Sequence, residues 1–127
     1  MDAQALLTRI QTANVMAADC PSRAVLQHLT SRWGTLVMIA LATGTHRFSA
    51  LRRQVSGVSE RMLAQTLQQL EADGFVLRVA HDVVPPRVDY SLTPMGREAS
   101  AHIVALSGWI EANLPAILSQ VPVQSPV

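Results

Sequence analysis

Between Ser49 and Leu92 the chain sets two short helices around a glycine turn and follows them at once with two alternating strands, an order that few small folds accommodate. Ser49 stands before the helical stretch 50–55, where its hydroxyl can accept a backbone N–H, and Phe48 in front of it can pack back as a staple. Ser56, Gly57 and Val58 make a tight turn, and Ser59 is a second capping residue for a helix over 60–72 that stops at Asp73 and Gly74. Phe75, Leu77 and Val79 then alternate as in a strand, residues 82–86 form a turn stiffened by Pro85 and Pro86, and Val88, Tyr90 and Leu92 alternate against Arg87, Asp89 and Ser91. The pattern predicts a mainly α chain with a small β-hairpin: a helix-turn-helix over 49–72 and a wing over 75–92.

The flanks are helical. Residues 2–16 carry Ala5, Leu6, Ile10, Ala13 and Val15 with no obvious partner in so small a chain, and Asp19-Cys20-Pro21 breaks the pattern. A short helix over 22–29 precedes one over 32–42 that is apolar nearly all round (Trp33, Leu36, Val37, Ile39, Leu41), as suits a central buried element. Thr93 and Pro94 open the last helix with a cap and a first-turn proline. It is expected to run to about residue 113, with Ile103, Leu106, Trp109 and Ile110 on one stripe, until Pro115 interrupts or ends it; the tail 121–127 is expected to fray. The whole, 1–127, reads as a single domain.

Composition narrows the function. Of 127 residues, 49% are hydrophobic, more than one small core needs, which points to a second buried surface such as a homodimer interface. Net charge is only +1, but its distribution is uneven: residues 47–97 hold seven Arg against five acids, and beyond them stand Glu98 and Glu111 with no Lys or Arg. One cysteine cannot make an intrachain disulfide, no Cys/His cluster has metal spacing, and the N-terminus lacks the layout of a signal peptide. The most apolar run, 36–42, is too short for a bilayer, so the expectation is a soluble cytoplasmic protein without metal, cofactor or membrane contact. No Ser/His/Asp set or phosphate loop is legible, and no enzyme is expected.

At ~100° per residue, Leu63, Leu67 and Leu70 fall on one stripe of the second motif helix, and Arg61, Gln65, Gln68 and Gln69 fall opposite. Gln can bond adenine and Arg guanine in bidentate fashion, and the N-terminal part of such a helix meets base edges in the major groove. Ser59, Arg61, Met62 and Gln65 are therefore candidate base readers, with Gln69 placed for flanking bases or a phosphate. Arg47, Arg52 and Arg53 are candidate phosphate contacts, and Arg87 beside the two prolines is a candidate for a minor groove or a phosphate. The competing reading is a solvated face on a winged helix that only contacts protein; loss of DNA affinity in Arg61→Ala separates the two.

From Cys20 to about Trp109 the chain resembles the HxlR-type regulators, relatives of the MarR group. The resemblance rests on Cys20-Pro21, Arg32-Trp33, the run 47–52 (RFSALR), the run 58–63 (VSERML), 67–74 (LQQLEADG), and above all 84–94 (VPPRVDYSLTP) with Gly96. It implies a winged helix-turn-helix dimer in which the first and last helices (1–19 and 94–118) pair, and in which two recognition helices read a pseudo-palindromic double-stranded promoter site. The glycines usual before the tryptophan are replaced by Thr30-Ser31-Arg32, and a local change at that helix junction is expected.

The resemblance also implies a sensing role for Cys20, since members of the group sense oxidants or electrophiles through a cysteine there. Thiolate chemistry is favoured beside a helix N-terminus or an Arg, and Arg23 is near in sequence. With no second cysteine, oxidation can give a Cys20–Cys20 link between subunits or a cap by a small thiol or electrophile. The alternatives are an inert Cys20 and a non-thiol inducer at the dimer interface.

Overall fold

The computed structural model describes residues 2–120. Six helices and three strands follow in the order α1 (Ala3–Ala13), α2 (Pro21–Thr30), α3 (Arg32–Leu41), β1 (His46–Arg47), α4 (Phe48–Gln54), α5 (Glu60–Ala72), β2 (Val76–His81), β3 (Arg87–Leu92) and α6 (Pro94–Gln120). The sheet is antiparallel with strand order β1-β3-β2, so the expected hairpin gains a third, two-residue strand from the extended piece at His46 and Arg47.

The core gathers Val37, Met38 and Leu41 of α3 with Leu51 of α4 and Leu63, Leu67 and Leu70 of α5, closed by Phe75, Val76 and Leu92 at the root of the wing. Helix α3 is the central element that the all-round apolar pattern predicts: it meets α2, α4, α5, α6 and β3. Ser100 of α6 is buried, and its hydroxyl donates to the Met38 carbonyl at 3.0 Å, which locks the long helix onto α3. Gly96 permits that approach, because a Cβ there would overlap the Phe75 carbonyl oxygen. At the α2–α3 junction, Ser31 caps α3 by accepting from the Gly34 amide at 3.0 Å and donates to the His28 carbonyl, while the Arg32 guanidinium lies 4.5 Å over the Trp33 ring. The substituted segment 30–32 thus builds its own junction.

Several boundaries differ from the sequence reading, each for a physical reason. Ser49 is not a cap: α4 begins at Phe48 with Arg47 as its N-cap and no side-chain capping bond. Arg47 is still paired in the sheet, opposite Asp89, so the chain passes from strand to helix with no residue between them. Helix α6 continues through Pro115 to Gln120. The bond forfeited there is to the Glu111 carbonyl, on an exposed stretch open to water. The phase of β2 is also opposite to the one read from Phe75, Leu77 and Val79. Phe75 precedes the strand, Val76 faces the core, and Leu77 and Val79 are 50% and 37% exposed. The tail 121–127 lies outside the described residues.

Two helices are left with uncovered apolar faces. Helix α1, capped by Asp2 and ended by Asn14 in the left-handed region (φ 57°), has no buried residue and exposes Leu6, Leu7 and Ile10. Helix α6 beyond its docked first turns exposes Leu106, Trp109 and Ile110. By length and composition α6, at 27 residues with a mean hydropathy of 1.2, is long and apolar enough to cross a membrane, which the short run 36–42 did not suggest.

Candidate nucleic-acid interface

Helix α5 is positioned at both ends. At its start the Ser59 side chain accepts from the Met62 amide at 3.1 Å, the cap that the sequence predicts. At its end the Asp73 carboxylate meets His28 Nδ1 of α2 at 2.6 Å. Leu63, Thr66, Leu67 and Leu70 are buried beneath it, and the Thr66 hydroxyl is spent on the Met62 carbonyl. The opposite face carries Arg61, Met62, Gln65 and Gln68 into solvent, with Gln69 half-buried at the margin. None of the described acids lies within 4 Å of Arg61, so its guanidinium is free to meet an external acceptor.

The flanking arginines differ among themselves. Arg52 is held at 3.0 Å by Glu60 across the α4–α5 turn, with both side chains exposed. An exposed pair of this kind is worth little and exchanges readily for a phosphate. Arg53 stands beside it in a shallow groove that also contains Phe48 and Ser49. Arg47 extends from β1 opposite Asp89.

Arg87 is not the free tip residue that its place beside the prolines suggests. It sits at the first rung of the hairpin opposite His81. Its Nε is 3.6 Å from the Asp89 carboxylate, which already accepts from or shares a proton with His81 Nε2 at 2.8 Å. That Nε is buried without a hydrogen-bond partner, while the side chain as a whole is 39% exposed. The far end of the guanidinium is therefore what Arg87 can offer to DNA.

Sequence reading missed Arg78. Its partner across the ladder is Tyr90, on the face that turns toward α5, and both line a groove with Gln68 and Glu71. The signal was present in the alternation of β2 but was obscured by starting the strand one residue early.

Cys20 is the N-cap of α2, 9% exposed and shallow, with its thiol donating to the Ala13 carbonyl at 3.3 Å. The Arg23 amide N–H holds its pKa below the usual thiol value, aided by the amide and hydroxyl of Ser22 and opposed by desolvation and Asp19. It is the backbone of Arg23 that does this, because the guanidinium turns away to the Met16 carbonyl at 2.9 Å.

Residues 28–117 match the model of the HxlR-like helix-turn-helix family. The HTH-type transcriptional regulator YtfH of Escherichia coli is 56% identical over 119 residues, covering 94% of each chain. The solved structure of the transcriptional regulator YtfH from Salmonella typhimurium superposes with a TM-score of 0.80 at 60% identity, covering 85% of this chain and 96% of that one. The redox regulator HypR in its reduced form superposes with a TM-score of 0.71 at 33% identity, covering 78% and 98%. A buried leucine stripe, a serine-capped helix with an Arg/Gln outer face, and an attached wing thus coincide with a family match over most of the chain. The protein belongs to the HxlR-like helix-turn-helix family and is a DNA-binding transcriptional regulator.

Proposed function

We propose that the chain acts as a cytoplasmic homodimer that covers a pseudo-palindromic promoter site and represses the gene beside it. The observation that carries this reading is α5: its leucines are buried and its capped N-terminal turns present Arg61, Met62 and Gln65 outward, the residue types that read guanine and adenine edges in a major groove. Arg47, Arg52, Arg53 and Arg87 supply phosphate contacts around it, and Arg78 and Gln69 lie at its flank. The dimer is supported by the uncovered faces of α1 and α6, whose Leu6, Leu7, Ile10, Leu106, Trp109 and Ile110 have no partner within the chain. A protein this small gains by covering them with a second copy. This reading assigns the protein no catalysis and no cofactor.

Release is assigned to a small molecule or to an oxidant or electrophile acting at Cys20. The lowered pKa supports the thiol route, and so does the likeness to HypR, a redox regulator by name. Cys20 also holds the Ala13 carbonyl at the end of α1, so its modification disturbs the helix proposed to pair. Mild oxidant is expected to release DNA from the wild type and to leave Cys20→Ser bound; equal responses would remove Cys20 from the mechanism.

The reading as a whole is tested by selecting bound fragments of the source genome with the purified, reduced protein. Enrichment of one or a few pseudo-palindromic promoter sites is expected. Failure to enrich any fragment, at moderate salt and with a confirmed dimer, contradicts it.

A further inference from the structure

A cleft between the end of α3, the end of the wing and α6 touches every moving part of this architecture. Leu41 and Ala42 of α3, Leu92 of β3, and Ala101 and Val104 of α6 give it apolar walls, and the loop that feeds β1 and α4 closes one side. It holds about 430 Å³, within the range of small-molecule sites. Arg97 is the only ionised side chain that lines it. One guanidinium nitrogen of Arg97 donates to the Leu92 carbonyl at 3.3 Å, which fixes the group at the wall, and no carboxylate among the described residues lies within 4 Å of it. The remaining N–H donors form a planar fork suited to a carboxylate.

An apolar slot ending in one unpaired cation matches one chemistry. A neutral apolar molecule would leave the fork without an acceptor, and a polyanion would gain nothing from the apolar walls. The cleft is also separate from the surface proposed to pair. At ~100° per residue, Arg97, Ala101 and Val104 fall on one side of α6, and Leu106, Trp109 and Ile110 fall on another.

We propose that this cleft binds an organic monocarboxylate with an apolar body, the carboxylate on Arg97 and the body against Leu41, Leu92 and Val104, as an effector of DNA binding. The effector role rests on the regulator reading given above; the binding itself does not. Occupancy would set the loop into α4, the end of the wing and α6 against one rigid object, and so fix the wing relative to the helix-turn-helix.

The test is a calorimetric titration of the full chain, without DNA, with 1-naphthoate and its neutral isostere 1-naphthamide. Naphthoate is expected to bind at least about tenfold more tightly, as a charge-assisted hydrogen bond requires. Arg97→Gln is expected to bring naphthoate down to the level of the amide. Val104→Trp, which fills the cleft from an exposed position, is expected to abolish both. No binding of naphthoate, equal binding of the two probes, or an affinity unchanged in Arg97→Gln or Val104→Trp overturns the site. Since DNA is absent, these outcomes are independent of promoter binding. A gel shift at saturating naphthoate then reads the effector role, and a promoter affinity that does not move by at least about threefold overturns that part.

Discussion

Two glycines of α6 have opposite surroundings and should respond oppositely to the same change. A Cβ at Gly96 meets the Phe75 carbonyl, whereas one at Gly108 meets nothing within 4 Å. Gly96→Ala is expected to cost about 1–3 kcal/mol through overpacking, and Gly108→Ala to stabilise by roughly 0.5–1 kcal/mol through helix propensity. Chemical denaturation midpoints check both signs. At Cys20 the lowered pKa predicts that alkylation by iodoacetamide, normalised to its own plateau, reaches half-maximum below the free-thiol value of about 8.5. A profile centred at or above that value contradicts the role given to the Arg23 and Ser22 amides. Capping residues were legible in the sequence because they act on neighbours three positions away: Ser59 and Thr93 both do what their place predicts. Partners fixed by tertiary approach were not legible. Nothing local foretells that Arg52 is held by Glu60, or that Arg87 is drawn to Asp89 and its Nε buried.

Elements inherit their precision from such contacts. Thr93 joins the wing to α6 twice, accepting from the Gly96 amide at 2.9 Å and donating to the Gly74 carbonyl at 2.6 Å. Thr93→Val keeps the shape and removes both bonds, so a loss of about 1–3 kcal/mol in unfolding free energy is expected. Leu67 beneath α5 is 2% exposed, and Leu67→Ala is expected to cost about 2–5 kcal/mol and to loosen the helix that carries Arg61. Helices with one buried stripe were readable from periodicity, as α5 shows. The wing was not, because beyond Val76, Tyr90 and Leu92 it stands clear of the core and its alternation no longer marks an inside. An apolar residue on an exposed ribbon, such as Leu77, misleads any reading that equates apolar with buried.

The whole molecule poses the question of what covers α1 and the far half of α6. Trp109 is 59% exposed, so Trp109→Glu should leave the fold of one chain intact. It is expected to shift the protein from dimer to monomer in sedimentation and to weaken promoter binding along with it. A dimer that persists would place the interface elsewhere. The apolar surplus in the composition pointed to such a surface, but which helices supply it became visible only once the core had claimed its own residues. Dimerisation and base reading meet in one measurement: the base-by-base preference of the wild type and Arg61→Ala across a selected site. Two positions related by the two-fold axis are expected to lose their preference together, at roughly 1–3 kcal/mol each, while the rest of the profile holds. A uniform loss on every sequence, or relaxation at a single unpaired position, would contradict the account of a dimer that reads DNA through α5.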